Sequence, residues 1–120
     1  MVVDTIKGVK SKRVYRVLID PGSDSTHFWR KRLPKGCVPT NLSKPQGIQV
    51  MGSKTSVKST VSLQHLMFPE LSQIMKVEHP FTAYVFDAKH SPYNIILGND
   101  FIVPLGITAQ STTQTITWLD

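Results

Sequence analysis

Residues 17–24, Val17-Leu18-Ile19-Asp20-Pro21-Gly22-Ser23-Asp24, place a carboxylate where an apolar run stops at a turn. Apolar and polar positions nearly alternate over residues 13–19, so a strand is expected there, ended by proline and glycine. Asp20 then stands at the C-terminal end of a rigid strand, held by a turn that needs glycine. By itself Asp-Pro-Gly is an ordinary β-turn sequence. Its neighbours decide what the carboxylate is for.

Upstream, Val2-Val3 and Ile6 make a first strand, expected to be exposed or paired with a partner. Lys7-Gly8-Val9-Lys10-Ser11 reads as a hairpin loop. Downstream, Thr26-His27-Phe28-Trp29 is a short strand ended by Leu33-Pro34-Lys35-Gly36, with a loop to about Pro45. Between residues 47 and 66, Val57, Val61 and Leu63 alternate with polar neighbours, the pattern of a long hairpin with its tip at Met51-Gly52-Ser53-Lys54. Phe81-Thr82-Ala83-Tyr84-Val85-Phe86 and Tyr93-Asn94-Ile95-Ile96-Leu97 are strands, the second apolar enough to be buried on both faces. Residues 98–106 hold the one expected helix, opened by a capping Asn99 or Asp100 and kept short by Pro104. A terminal hairpin over residues 107–119 turns at Ser111-Thr112-Thr113-Gln114.

The chain has 120 residues, 40% of them apolar, which fits one domain over residues 1–120. With 18% charged residues it is too weakly charged for a solvated disordered chain. Its longest apolar runs fall far short of the roughly 20 residues that a membrane-spanning helix needs. The N-terminal stretch lacks the apolar centre of a signal peptide, and an intracellular setting is expected. Cys37 is the one cysteine, which excludes an internal disulfide and a zinc cluster. His27, His65, His79 and His90 show no metal-ligand spacing and read as surface or strand histidines. Neither a metal nor another cofactor is expected.

Two strings carry the functional reading together. Some 75 residues after Asp20, Ile95-Ile96-Leu97-Gly98-Asn99-Asp100-Phe101 joins an apolar strand to a glycine and a short helix. In order and spacing these strings, with Gly52 at the hairpin tip between them, resemble the retropepsins, the retroviral-type aspartic proteases. The resemblance is nearest to the protease domains of LTR-retrotransposon polyproteins and spans about residues 13–119. It implies an all-β, closed-barrel fold with a flap hairpin and one short C-terminal helix, acting as a C2 homodimer. Asp20 is then catalytic, one from each subunit, and Pro21, Gly22 and Ser23 form its turn. Gly22 and Asp24 would bind the substrate backbone, with Val50, Met51, Gly52 and Ser53 at the flap. Ile96 would line a side-chain pocket, and Ile96, Leu97 and Gly98 form the late motif. The implied setting is the cytoplasm or a retroelement particle, and the implied substrate the chain's own polyprotein.

The chemistry agrees with the arithmetic of the chain. An aspartic protease needs two carboxylates sharing one proton, since adjacent like charges do not both ionise. This chain offers one such turn, so a symmetric dimer is the way to build the pair. Asp87 ends a strand without a glycine turn, and Asp100 fits helix capping. Two positions depart from the family pattern. Pro21 replaces a Thr or Ser whose hydroxyl bonds across the dimer to the backbone N–H of the equivalent residue, and proline has neither group. The expected result is a weakly associating dimer. Asn99 stands where many viral relatives carry Arg.

A second reading starts from charge. Fourteen Lys and Arg against 8 Asp and Glu give +6, and Trp29-Arg30-Lys31-Arg32 sets an aromatic beside three cations. As a strand this would put Arg30 and Arg32 on one face and Lys31 on the other. The alternative to proteolysis is a non-catalytic binding or dimerisation module on the same fold, to which this basic surface would add nucleic-acid affinity as a secondary property.

Overall fold

The computed structural model describes residues 2–50, 53–67, 76–77, 81–104, 107–110 and 115–118. Among these residues the fold is all-β with one short α-helix. Strands β1 (Val2–Ile6) and β2 (Val9–Val14) form a hairpin around Lys7 and Gly8, whose φ values of 47° and 81° are the left-handed pair of a two-residue hairpin turn. The loop is thus tighter than the five residues expected. β1 is neither exposed nor left for a partner, because β2 flanks it on one side and β6 (Ser53–Met67) on the other. Val3 and Ile6 are fully buried.

The strand expected over residues 13–19 is two strands. Val14 ends β2, and β3 (Val17–Ile19) pairs in parallel with β9 (Ile95–Leu97). Tyr15 and Arg16 cross between them, and the Arg16 backbone is satisfied by Asn94. The Arg16 N–H donates to Asn94 Oδ1 at 2.8 Å, and the Asn94 N–H donates to the Arg16 carbonyl at 2.8 Å.

β6 organises the rest. It pairs antiparallel with β5 (Thr40–Val50), β8 (Phe81–Phe86), β1 and the two-residue β7 (Lys76–Val77). Val57, Ser59, Val61 and Leu63 recur every second residue and are all buried, as their alternation predicts. The hairpin starts earlier than expected, at Thr40, with an irregularity between Asn41 and Gln46 where Pro45 has no N–H for the ladder. β4 (His27–Trp29) lies between β8, parallel to it, and β9, antiparallel to it. A 3₁₀ turn, Arg30–Arg32, follows β4 where further strand was expected, so the three cations do not alternate across a sheet.

The main sheet runs β2-β1-β6-β8-β4-β9-β3. β2 and β3 lie at its ends and do not pair, so the sheet is open, in place of the closed barrel expected. It nonetheless curls, because three Cα steps from Val14 to Val17 keep the end of β2 within roughly 11 Å of the start of β3. One face buries Val17, Phe28, Val61, Ala83, Val85, Ile95 and Leu97 with Val3, Ile6, Tyr15, Phe101 and Ile102. Tyr15 meets Phe28 edge-on at 5.3 Å, and Phe81 meets Phe101 at 4.9 Å.

Helix α1 (Asn99–Ile102) is a single turn, shorter than the expected span, and residues 105–106 lie outside the described set. Its N-cap is Gly98 and no side chain caps it. The terminal hairpin is β10 (Ile107–Gln110) with β11 (Thr115–Trp118), a separate two-stranded sheet whose expected turn lies outside the described residues.

Candidate functional site

Asp20 follows β3 directly, and its backbone N–H donates to the Leu97 carbonyl at 2.9 Å, extending the parallel β3–β9 ladder to the turn itself. The turn closes when the Ser23 N–H donates to the Asp20 carbonyl at 3.1 Å. The Gly22 N–H donates to Asp20 Oδ1 at 3.0 Å, fixing the carboxylate over its own turn. Asp20 is half-buried, and Pro21, Gly22 and Asp24 are exposed.

Helix α1 braces this turn from behind. The Asn99 N–H donates to the Ser23 carbonyl at 2.8 Å, the Asp100 N–H to the Asp24 carbonyl at 3.2 Å, and the Asn99 side-chain amide to the Pro21 carbonyl at 2.7 Å. Gly98 makes the approach close: a Cβ there would lie 2.7 Å from the Ser23 carbonyl oxygen and closer still to the Ser25 carbonyl. Thr26 ties the two strings together. Its N–H and hydroxyl donate to the Asp100 carboxylate, and its hydroxyl oxygen accepts the Gly98 N–H at 3.1 Å. Asp100 therefore braces the turn instead of capping the helix, and Asn99 likewise points across to Pro21.

The sheet face opposite the main core carries the apolar part of the site. Residues directly opposite in register share a face, so Leu18, Ile96, His27 and Tyr84 project together. Ile96 is fully buried in a second cluster with Val57 and Phe86, packed by Leu18, Trp29, Tyr84 and Tyr93. Leu42 and Ile48 of the β5–β6 hairpin join this cluster, so the hairpin lies over the strand that leads into Gly98. Leu97 faces the main core. Val50 pairs with Ser53 across the hairpin end, while Met51 and Gly52 lie outside the described residues.

His27, expected only as a surface or strand residue, is a buried member of this face at 1% exposure. Its Nε2 lies 3.1 Å from Ser25 Oγ, and its Nδ1 is buried without a hydrogen-bond partner. Burial lowers its pKa to about 4, opposed by the nearby negative charges of Asp100 and Asp20, so the ring is neutral at neutral pH. Thr26, Ser25 and His27 were not singled out as site residues. Their signal was four polar or titratable side chains, residues 24–27, sitting between a glycine turn and a buried strand.

The competing residues have other work. Asp87 receives the Arg30 Nε–H at 2.7 Å at the surface. Burial raises the Cys37 thiol pKa, with Lys7 pulling the other way, which leaves a poor nucleophile. Among the described residues no group of three or more His, Cys, Asp or Glu could hold a metal ion. No helix of the described chain is long and apolar enough to cross a membrane.

Fold and site together define an all-β protein that presents one carboxylate on a helix-braced turn beside an apolar, hairpin-covered sheet face. No family model, curated protein or solved structure matches the chain.

Proposed function

We propose that this chain is a retropepsin-like aspartic endopeptidase that acts as a weakly associating C2 homodimer, cutting an extended segment of its own retroelement polyprotein inside the cell or its particle. The observation that carries the reading is the bracing of Asp20. A carboxylate at a strand end, with its turn held by a helix 78 residues away in sequence, is the positioning that general acid–base chemistry demands.

In the dimer, Asp20 of each subunit would contribute one carboxylate to a pair holding a single proton. The ionised member takes a proton from water as the oxygen attacks the peptide carbonyl. The protonated member donates to the carbonyl oxygen, giving a tetrahedral diol with the pair still singly protonated. On collapse the C–N bond breaks as the protonated member donates to the leaving nitrogen and the ionised member takes a proton from a diol hydroxyl, which leaves the pair with the one proton it began with. The substrate would lie as an added strand, its backbone held by Gly22 and Asp24 and by the flap residues Val50, Met51, Gly52 and Ser53. An apolar side chain would enter beside Ile96. The β5–β6 hairpin would open for entry and close to exclude water.

The test is incubation of the purified chain near pH 5 with a precursor fragment carrying its own flanking sequences, with and without a pepstatin-type inhibitor. Cleavage that the inhibitor and Asp20→Asn both abolish supports the reading. No cleavage at high protein concentration, where a weak dimer forms, overturns it.

One observation favours a second reading, a non-catalytic module with nucleic-acid affinity. Arg30 and Lys31 meet Lys89, Asp87 and Ala88 at a cleft of about 400 Å³. The cleft is held by bonds from Trp29 Nε1–H to the Ala88 carbonyl and from Lys31 Nζ to the Lys89 carbonyl, both 2.9 Å. It opens at the end of β4 away from Asp20. Binding of a single-stranded oligonucleotide that weakens with salt and survives Asp20→Asn would support it.

A further inference from the structure

We propose that Asn99 is the positioning residue of the Asp20 carboxylate, acting through the single peptide plane between Pro21 and Gly22. The protease reading underlies its importance for catalysis, but the mechanical claim stands on the contacts alone. The Asn99 side-chain amide donates to the Pro21 carbonyl at 2.7 Å, and the Gly22 N–H donates to Asp20 Oδ1 at 3.0 Å. That carbonyl and that N–H belong to one planar, trans peptide and point in opposite directions. Asn99 therefore grips one end of a rigid plate whose other end holds the carboxylate.

Pro21 makes the plate's orientation the one variable left. The ring fixes φ of Pro21, so the direction of the Pro21 carbonyl is set by ψ alone. Proline also offers no N–H, which leaves its carbonyl as its single backbone handle. Asn99 occupies that handle, and its own N–H is anchored on the Ser23 carbonyl at 2.8 Å, so the grip comes from a fixed base. The turn is thereby locked from within one subunit. A residue in place of Pro21 with a hydroxyl and an N–H could be locked across a dimer instead. In this chain the site's geometry is set before the subunits meet, and dimerisation need only bring two finished halves together.

The test compares Asn99→Ala, which removes the donor, with Asn99→Asp, which keeps the shape but offers no N–H from its ionised side chain. The first readout is amide hydrogen exchange by NMR, which requires no cleavage. Gly22 should exchange about tenfold faster in both variants, the weight of one ordinary hydrogen bond, while Ile96 and Leu97 keep their protection. Unchanged Gly22 exchange in both, or wild-type exchange in Asn99→Asp, overturns the lock. The second readout is kinetic: kcat should fall about tenfold or more, a larger change than any in KM, since the group released is the reacting carboxylate even though Gly22 also holds substrate. A rise in KM at constant kcat would also overturn it. If the wild-type chain cleaves nothing but Gly22 responds, the lock stands and the protease reading fails.

Discussion

Thr26 and Asp100, 74 residues apart, are joined twice: the Thr26 N–H donates to Asp100 Oδ2 at 3.1 Å and its hydroxyl to Oδ1 at 2.7 Å. Thr26 is fully buried. The pair fastens the segment after the Asp20 turn to the helix that follows β9, adding a buried side-chain tie to the bonds that Asn99 and the Asp100 N–H make to the same segment. Asp100→Ala leaves a buried N–H and a buried hydroxyl without their acceptor and should cost about 2–3 kcal/mol. Asp100→Asn, which keeps one carbonyl oxygen, should cost less. Urea unfolding of the two variants checks the order.

Gly98→Ala should be at least as damaging. The added methyl would run into the backbone carbonyls of Ser23 and Ser25, which have no flexible end to move aside. We expect a loss of about 2–4 kcal/mol, as for overpacking against rigid neighbours, with lost protection of the Ser23 amide by hydrogen exchange.

His27 gives stability a pH dependence. Its folded pKa is about 4 against 6.5 for the free side chain. Between these values the unfolded chain takes up a proton that the folded chain refuses, so stability falls as pH drops from 6.5 towards 4 and levels off below. The loss should amount to roughly 1–3 kcal/mol after allowance for local relaxation. Denaturant midpoints measured across pH 4–7 in the wild type and in His27→Val check it, and the variant should show a flatter profile. An assay near pH 5 works on this slope, so the proposed acid activity would be set against falling stability.

Pro21→Thr should tighten the proposed dimer. It restores a hydroxyl and an N–H at the place where the resembling enzymes bond across their two-fold axis. Two ordinary hydrogen bonds are worth about 1–3 kcal/mol, or roughly 5- to 150-fold in the dimer constant. Sedimentation equilibrium measures it, and an unchanged constant would count against this account of the turn.

Most of the strands were legible because period-two alternation reports directly on a half-buried sheet, as at Val57, Val61 and Leu63. The break at Tyr15-Arg16 was not, because it follows from a change of pairing partner that alternation within one segment does not encode. The 3₁₀ turn at Arg30–Arg32 was missed for a similar reason: Arg30 and Lys31 are placed by Asp87, Ser59 and the Lys89 carbonyl, all contributed from elsewhere in the chain. At the site, Asp20, Gly22 and Gly98 stood out through backbone chemistry that any reader of turns can apply. The roles of Asn99, Thr26 and Asp100 did not, because Asn99 and Asp100 beside a helix start read locally as caps and Thr26 reads as the start of a strand. Here their side chains reach the other string, and only the β3–β9 pairing makes that reach short.

Under the proposed mechanism one working site needs two Asp20 carboxylates, one from each subunit, and subunit mixing separates this from a site built on one. Wild-type and Asp20→Asn chains are combined at constant total concentration, allowed to exchange, and assayed on the precursor fragment. If each site needs an Asp20 from both subunits, an equal mixture retains roughly a quarter of the all-wild-type rate, because only that share of dimers carries two carboxylates. A rate that falls in simple proportion to the wild-type fraction would contradict the account, since each chain would then be cutting with its own Asp20 alone.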